Sequence, residues 1–183
     1  MDIKDKIKNS FVTLVVENKT IKISVKDIAS YAGVSRRTFY NYYTDRQAIT
    51  EEIYMETIEK AIRDCFINKV TTERFIIDVY KAFLVKKDFF LIAINEEGQN
   101  SLFDTIIDRS QHVFSYLFKE IITDEKRLEY LSYKYASSQV MLIKKWIKSG
   151  MKESPEFMTE IYLDSHMLHE NHHDQIINKE TNW

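Results

Sequence analysis

Apolar residues recur at intervals of three and four from the first residues of the chain onward. Ile3, Ile7, Phe11, Leu14 and Val15 alternate with Lys, Asp and Asn, and this spacing predicts an amphipathic helix over about 3–17. A polar break at 18–22 follows. Ser24-Val25-Lys26-Asp27 then has the form of a capping box, with a hydroxyl and a carboxylate placed to satisfy free N–H groups at a helix start. Val25, Ile28, Ala29 and Ala32 line one face of the short helix it opens. Gly33 ends that helix, because glycine takes the left-handed conformation that other side chains resist. Val34 is an apolar plug, and Ser35 caps a third helix starting at Arg36. In that segment Phe39 and Tyr43 are four apart and face inward, which leaves Arg36, Arg37, Thr38, Tyr40, Asn41 and Tyr42 on or beside the outer face. Thr44-Asp45-Arg46-Gln47 is a further capping box, opening a fourth helix through Ile49, Ile53, Met55, Ile58 and Ile62.

The helical period continues to near the C-terminus, with helices expected at roughly 72–86, 88–94, 99–122, 124–148 and 155–168. Ser154-Pro155-Glu156 opens the last with a cap followed by proline. The helix at 124–148 has two apolar stripes, one of Leu128, Leu131, Tyr135, Leu142 and Trp146, the other of Tyr133, Ala136, Val140, Ile143 and Ile147. Two stripes require two partners. One is its own domain, and the other is either a second copy of the chain or a further part of the same bundle. The candidate dimer interface is Tyr133, Ala136, Val140, Ile143 and Ile147, with Phe157 and Ile161. The same region is rich in aromatics, and Tyr80, Phe83, Phe89, Phe90, Phe103 and Tyr116 are candidates for lining an apolar ligand pocket, although such residues serve more often as core.

Composition sharpens the fold class. Three Gly and one Pro among 183 residues are too few for the turns of a sheet protein, and 44% hydrophobic with 30% charged residues suffices for a packed core. The expectation is an all-α protein with a small N-terminal domain at 1–46, a helical domain at 47–170 and a polar tail at 171–183. The net charge of −2 conceals an asymmetry, since residues 1–46 carry a surplus of four positive charges and the remainder a surplus of six negative ones. A basic end on an acidic body suits contact with a polyanion.

The longest apolar run, Phe89 to Ile94, is six residues, far short of the roughly 20 that cross a bilayer, and no secretory signal opens the chain. A cytoplasmic protein without membrane contact is expected. Cys65 is alone and reads as structural. The chain has no Gly-rich phosphate loop, nucleophile elbow, paired His-Glu zinc motif or Cys-His constellation, so neither an enzyme nor a cofactor is expected. His166, His169 and His173 share a helical face and are weak candidates for a metal site; a solvated tail is the plainer reading.

A short helix, a Gly-containing turn and a second short helix make a helix-turn-helix unit, with Ala29 small where the two backbones approach. Residues 24–46, SVKDIASYAGVSRRTFYNYYTDR, closely resemble the TetR family of bacterial transcription regulators. The family's Thr-x-x-x-Ile-Ala-x-x-Ala-Gly-Val-Ser run is met nearly position for position. Ser24 stands for the usual Thr, Tyr43 for Phe and Arg46 for Lys, and these changes preserve capping, packing and charge. Residues 146–157, WIKSGMKESPEF, are similar to the C-terminal domain of Firmicutes members such as regulators from dihydroxyacetone kinase loci.

The resemblance implies a homodimer that reads a near-palindromic double-stranded DNA operator and is controlled by a small-molecule effector. An alternative is control by a protein co-regulator, with the chain acting as an activator or without operator binding. Arg36, Arg37 and Asn41 suit base edges, and Thr38 and Tyr40 suit a thymine methyl or a phosphate. By the resemblance, Tyr40 and Tyr42 contact backbone or base edge and Arg46 grips a phosphate. Ser24 and Lys26 add phosphate contacts at a helix start, and Ser35 completes the set.

Overall fold

Side-chain oxygens decide where the first helices begin. Asp2 accepts the Ile3 N–H at 2.6 Å to open α1 (Ile3–Asn18). Ser24 Oγ accepts the Asp27 N–H at 3.1 Å ahead of α2 (Val25–Tyr31), and Ser35 Oγ accepts the Thr38 N–H at 3.0 Å ahead of α3 (Arg36–Tyr40). Gly33 between them has φ +67°, so the turn uses the conformation glycine permits. Its N–H donates to the Ser30 carbonyl at 3.1 Å, and the Val34 N–H reaches the Ala29 carbonyl at 2.9 Å. The chain continues through α4 (Arg46–Asn68), α5 (Thr72–Val85), α6 (Lys87–Ala93), α7 (Asn100–Phe118), α8 (Glu125–Lys148) and α9 (Pro155–Asn171). This computed structural model describes residues 2–68, 70–94 and 100–171, leaving aside the side chains of 65, 66, 100–102, 105 and 165–171. Among the described residues all regular structure is helical, and no helix is long and apolar enough to cross a membrane.

Two helices are shorter than their hydrophobic period suggests. α3 stops at Tyr40, because the Tyr42 and Tyr43 N–H groups both turn back to the Phe39 carbonyl at 3.0 Å. α7 stops at Phe118, whose carbonyl takes the N–H groups of Ile121 and Ile122, and Ile121 has no apolar surface to cover it.

The N-terminal head is built around Ile7, Phe11 and Val15 of α1, Ile28 and Ala29 of α2, Phe39 and Tyr43, all buried. Ile49 and Ile53 close it from the first turns of α4. That helix then continues without a break and buries Tyr54, Ile58 and Ala61, packing on α5. Head and body are further joined by an edge-on contact of Phe11 with Phe89 of α6, ring centroids 6.1 Å apart. In the body α7 lies along α8, and α5 packs on both α4 and α9.

The expected dimer stripe of α8 requires correction. Ala136, Val140, Ile143 and Ile147 are buried within the chain's own bundle, beside Trp146, and have no surface to offer a second copy. Tyr135 of the other stripe stacks on Phe114 and Phe118 of α7. Both stripes are thus largely satisfied internally. Among the described residues the apolar side chains left outward are Tyr130, Tyr133 and Met141 on α8 and Phe157 and Ile161 on α9; of the seven residues expected at the interface, only Tyr133, Phe157 and Ile161 are among them.

Candidate nucleic-acid interface

All ten residues expected to meet DNA lie in the α2–turn–α3 unit or in the first turn of α4. Ser24, Lys26, Ser35, Arg36, Arg37, Tyr40, Asn41 and Tyr42 are exposed, and Thr38 and Arg46 are half-buried. The tyrosines are unusual, for Tyr40 is 49% and Tyr42 39% exposed while Phe39 beside them is fully covered. Two aromatic rings held outward on a short element beside two guanidiniums have little use in packing. Among the described residues Arg36, Arg37, Lys22 and Lys26 form no ion pair, so their positive charge is available to a polyanion.

The serine caps leave the face open. Ser24 Oγ also donates to the Asp27 carboxylate at 2.5 Å, and Ser35 Oγ lies 2.8 Å from Thr38 Oγ1, so these hydroxyls already support their own helices. Tyr31, at the end of α2, is 54% exposed on the same unit and stands outside the expected set; its place off the Val25–Ile28–Ala29–Ala32 face is the one sequence signal that could have found it.

A polar clasp holds α1 and the segment after α3 against α4. Lys8, nearly buried on α1, pairs with Asp5, Glu52 and Glu56, while Lys4 reaches Glu52 at 2.6 Å. Tyr43, directly after the reading segment, donates its hydroxyl to Glu52 Oε1 at 3.1 Å. Burial alone would raise the Glu52 pKa, but hydrogen bonds from Lys4 and Tyr43 and the Lys4 and Lys8 charges outweigh it, and the carboxyl is held below its ordinary 4.5. Burial would lower the Lys8 pKa, and the hydrogen bonds to Glu56 and Asp5 outweigh it, so that ammonium is raised. Lys8→Met is therefore expected to destabilise the protein by about 1–3 kcal/mol in urea unfolding at pH 7, because Glu56 loses its ammonium partner and Glu52 is left with Lys4 alone. Because a carboxylate with a lowered pKa stabilises above its ordinary value and loses that contribution as pH falls, the difference between variant and parent should shrink as pH drops below 4.5.

The body contains an apolar cleft between α4, α5, α7 and α8, with Tyr54, Ile58, Phe75, Phe114, Gln139 and Ile143 among its walls. None of the six aromatics expected to line a pocket borders it. Tyr80 stacks edge-on against Trp146, Phe83 against Tyr54, and Phe89 and Phe90 against each other, all buried as core. Phe103 is buried under the Lys144 ammonium, and Tyr116 points outward with Lys119 over its ring. Beside the cleft, Arg109 of α7 pairs with Glu51 of α4 at 2.5 Å, tying the helix that follows the reading unit to the body. His173 lies outside the described residues, as do the side chains of His166, His169 and Cys65 and the tail beyond 171.

A capped helix-turn-helix with a cationic, aromatic outer face on an all-helical body defines a DNA-binding transcription regulator. Comparison with known families names the branch. Residues 22–53 match the family described as bacterial regulatory proteins, tetR family, and residues 70–165 match the transcriptional regulator C-terminal region. The chain belongs to the TetR family. Solved structures share its fold. A TetR-family regulator from Syntrophomonas wolfei has a TM-score of 0.62 at 19% identity, over 91% of this chain and 93% of that one. A TetR regulator from Streptococcus agalactiae 2603V has 0.63 at 24%, over 89% and 92%. The dihydroxyacetone kinase operon activator DhaS has 0.61 at 15%, over 91% and 95%. No curated protein sequence gives a significant match.

Proposed function

We propose that the protein is a cytoplasmic homodimer that represses transcription by reading a near-palindromic operator with two copies of the α2–α3 unit, and that a small molecule bound in the body releases it. It works by binding and not by catalysis. The observation that carries this reading is the outward, unpaired cationic face of Arg36 and Arg37 beside Tyr40, Asn41 and Tyr42. Ser24, Lys26 and Arg46 flank it as phosphate contacts, with Ser35 and Thr38 at the start of the reading helix. The domain division follows the same logic, with residues 1–46 as the reading head, 47–170 as the effector and dimer body, and 171–183 as a tail.

The outward apolar side chains of α8 and α9 supply the dimer surface: Tyr130, Tyr133, Met141, Phe157 and Ile161. One head alone makes few contacts, and joining two multiplies affinity without new chemistry. The double variant Tyr133→Asp/Phe157→Asp is expected to elute at monomer mass in light scattering and to bind operator at least about 10²-fold more weakly than the parent. A parent protein that is itself monomeric would overturn the dimer reading.

The cleft wall formed by α4 supports the effector reading, because the helix that lines the cleft also closes the head through Ile49 and Ile53. The Glu51–Arg109 pair couples the same helix to α7. Selection of bound duplexes from a random pool, followed by a promoter-reporter assay with the selected site, tests the whole reading. Repression is the expected outcome. Activation, which the name of DhaS attaches to that structural neighbour, is the rival one.

A further inference from the structure

The cleft between α4, α5, α7 and α8 has one polar group that its own walls do not satisfy. Gln139 of α8 lines it, is 6% exposed, and its Nε2 has no hydrogen-bond partner. Around it stand Tyr54, Ile58, Phe75, Phe114 and Ile143, with Ser110 a further polar side chain in the lining. A buried amide donor without an acceptor is costly, and a leucine in its place would avoid that cost. A glutamine at this position instead presents a free donor to an occupant of the cleft.

The walls also restrict the charge of that occupant. None of the described residues lining the cleft is Asp, Glu, Lys or Arg, so an ion entering would shed its hydration with no counter-charge to meet it. The open space is about 20 Å³, room for a single water molecule. Anything larger has to spread the walls, and one wall is Tyr54 and Ile58 of α4.

We propose that Gln139 is the recognition group of the effector site, and that the effector is an uncharged, mainly apolar molecule carrying one carbonyl-type acceptor. The Gln139 Nε2–H donates to that acceptor, and the aromatic and aliphatic walls take the rest. The ligand chemistry rests on the reading of this cleft as the effector site. A site that hydrogen-bonds its ligand discriminates strongly against the analogue that lacks the acceptor, since the buried donor is then left unpaired.

The experiment uses the full chain and three probe sets in titration calorimetry: alkyl phenyl ketones from acetophenone to hexanophenone, alkylbenzenes of matched chain length, and benzoate. The ketones are expected to bind about ten-fold more tightly than the matched hydrocarbons, with no binding of benzoate. In Gln139→Leu the ketone preference disappears, hydrocarbon binding persists, and the ligand-free protein melts at a higher temperature because the unpaired donor is gone. Gln139→Met is the companion variant with the same expectation. A ketone preference unchanged in both variants, benzoate binding as tight as the ketones, or no ketone binding up to millimolar concentration would each overturn the proposal. Operator binding is measured on the same samples. Gln139-dependent ketone selectivity without any operator binding would support this site and overturn the regulator reading, whereas operator binding by the ligand-free protein without selectivity would overturn the site alone.

Discussion

Arg37→Ala in both subunits is expected to weaken operator binding by roughly 30-fold to 10⁴-fold, from about 1–3 kcal/mol per lost base contact taken twice in the dimer. Arg37 is exposed on α3, among the described residues it has no ion pair, and its loss disturbs no packing, so the melting temperature should stay within about 1 °C of the parent. The loss should be larger on operator than on random duplex DNA, and titration across salt separates the two roles a guanidinium can play. A base contact changes the preference at particular positions, whereas a phosphate contact reduces the salt slope by about one per subunit at similar cost on every sequence. Equal losses on operator and random DNA would assign Arg37 to the backbone and leave base reading to Arg36 and Asn41.

Trp146→Ala carries the largest expected effect on stability, about 3–5 kcal/mol in urea unfolding. The indole is almost fully buried, meets the Tyr80 ring edge-on at a centroid distance of 5.2 Å, and donates its Nε1–H to the Glu153 carbonyl at 3.0 Å. Removing it opens a cavity where α5 and α8 meet and strips the carbonyl in the turn after Gly150 of its donor. Such a loss is a large fraction of the 5–15 kcal/mol that typically holds a domain together. Trp146→Phe keeps part of the apolar volume but not the donor, and is expected to lose about half as much. A cost below about 1 kcal/mol for the alanine variant would show that the body relaxes around this position and that Trp146 is not central to its core.

The helix-turn-helix unit was legible from the chain alone because every device that builds it is local. Ser24 and Ser35 cap helices three residues ahead of the N–H groups they accept, and Gly33 turns the chain within the same stretch. Phe39 and Tyr43 face inward through a four-residue spacing, which by subtraction leaves Arg36, Arg37, Tyr40, Asn41 and Tyr42 outward. The length of α3 was less legible, since the two N–H groups that turn back to Phe39 leave no mark in the periodicity.

In the body the same period was ambiguous. A stripe of Ala136, Val140, Ile143 and Ile147 reads identically whether it meets its own bundle or a second copy, and Tyr80 and Phe83 read identically as pocket or core. Contacts between residues far apart in the sequence, such as Lys8 with Glu56, Glu51 with Arg109, and Gln139 facing the cleft, have no local signature. Helix starts, turns and inward faces follow from forces between near neighbours in the chain, so residue order suffices for them. Which apolar face is covered, which is left outward, and which polar group is stranded inside depend on how whole helices dock, and only the packed molecule decides that.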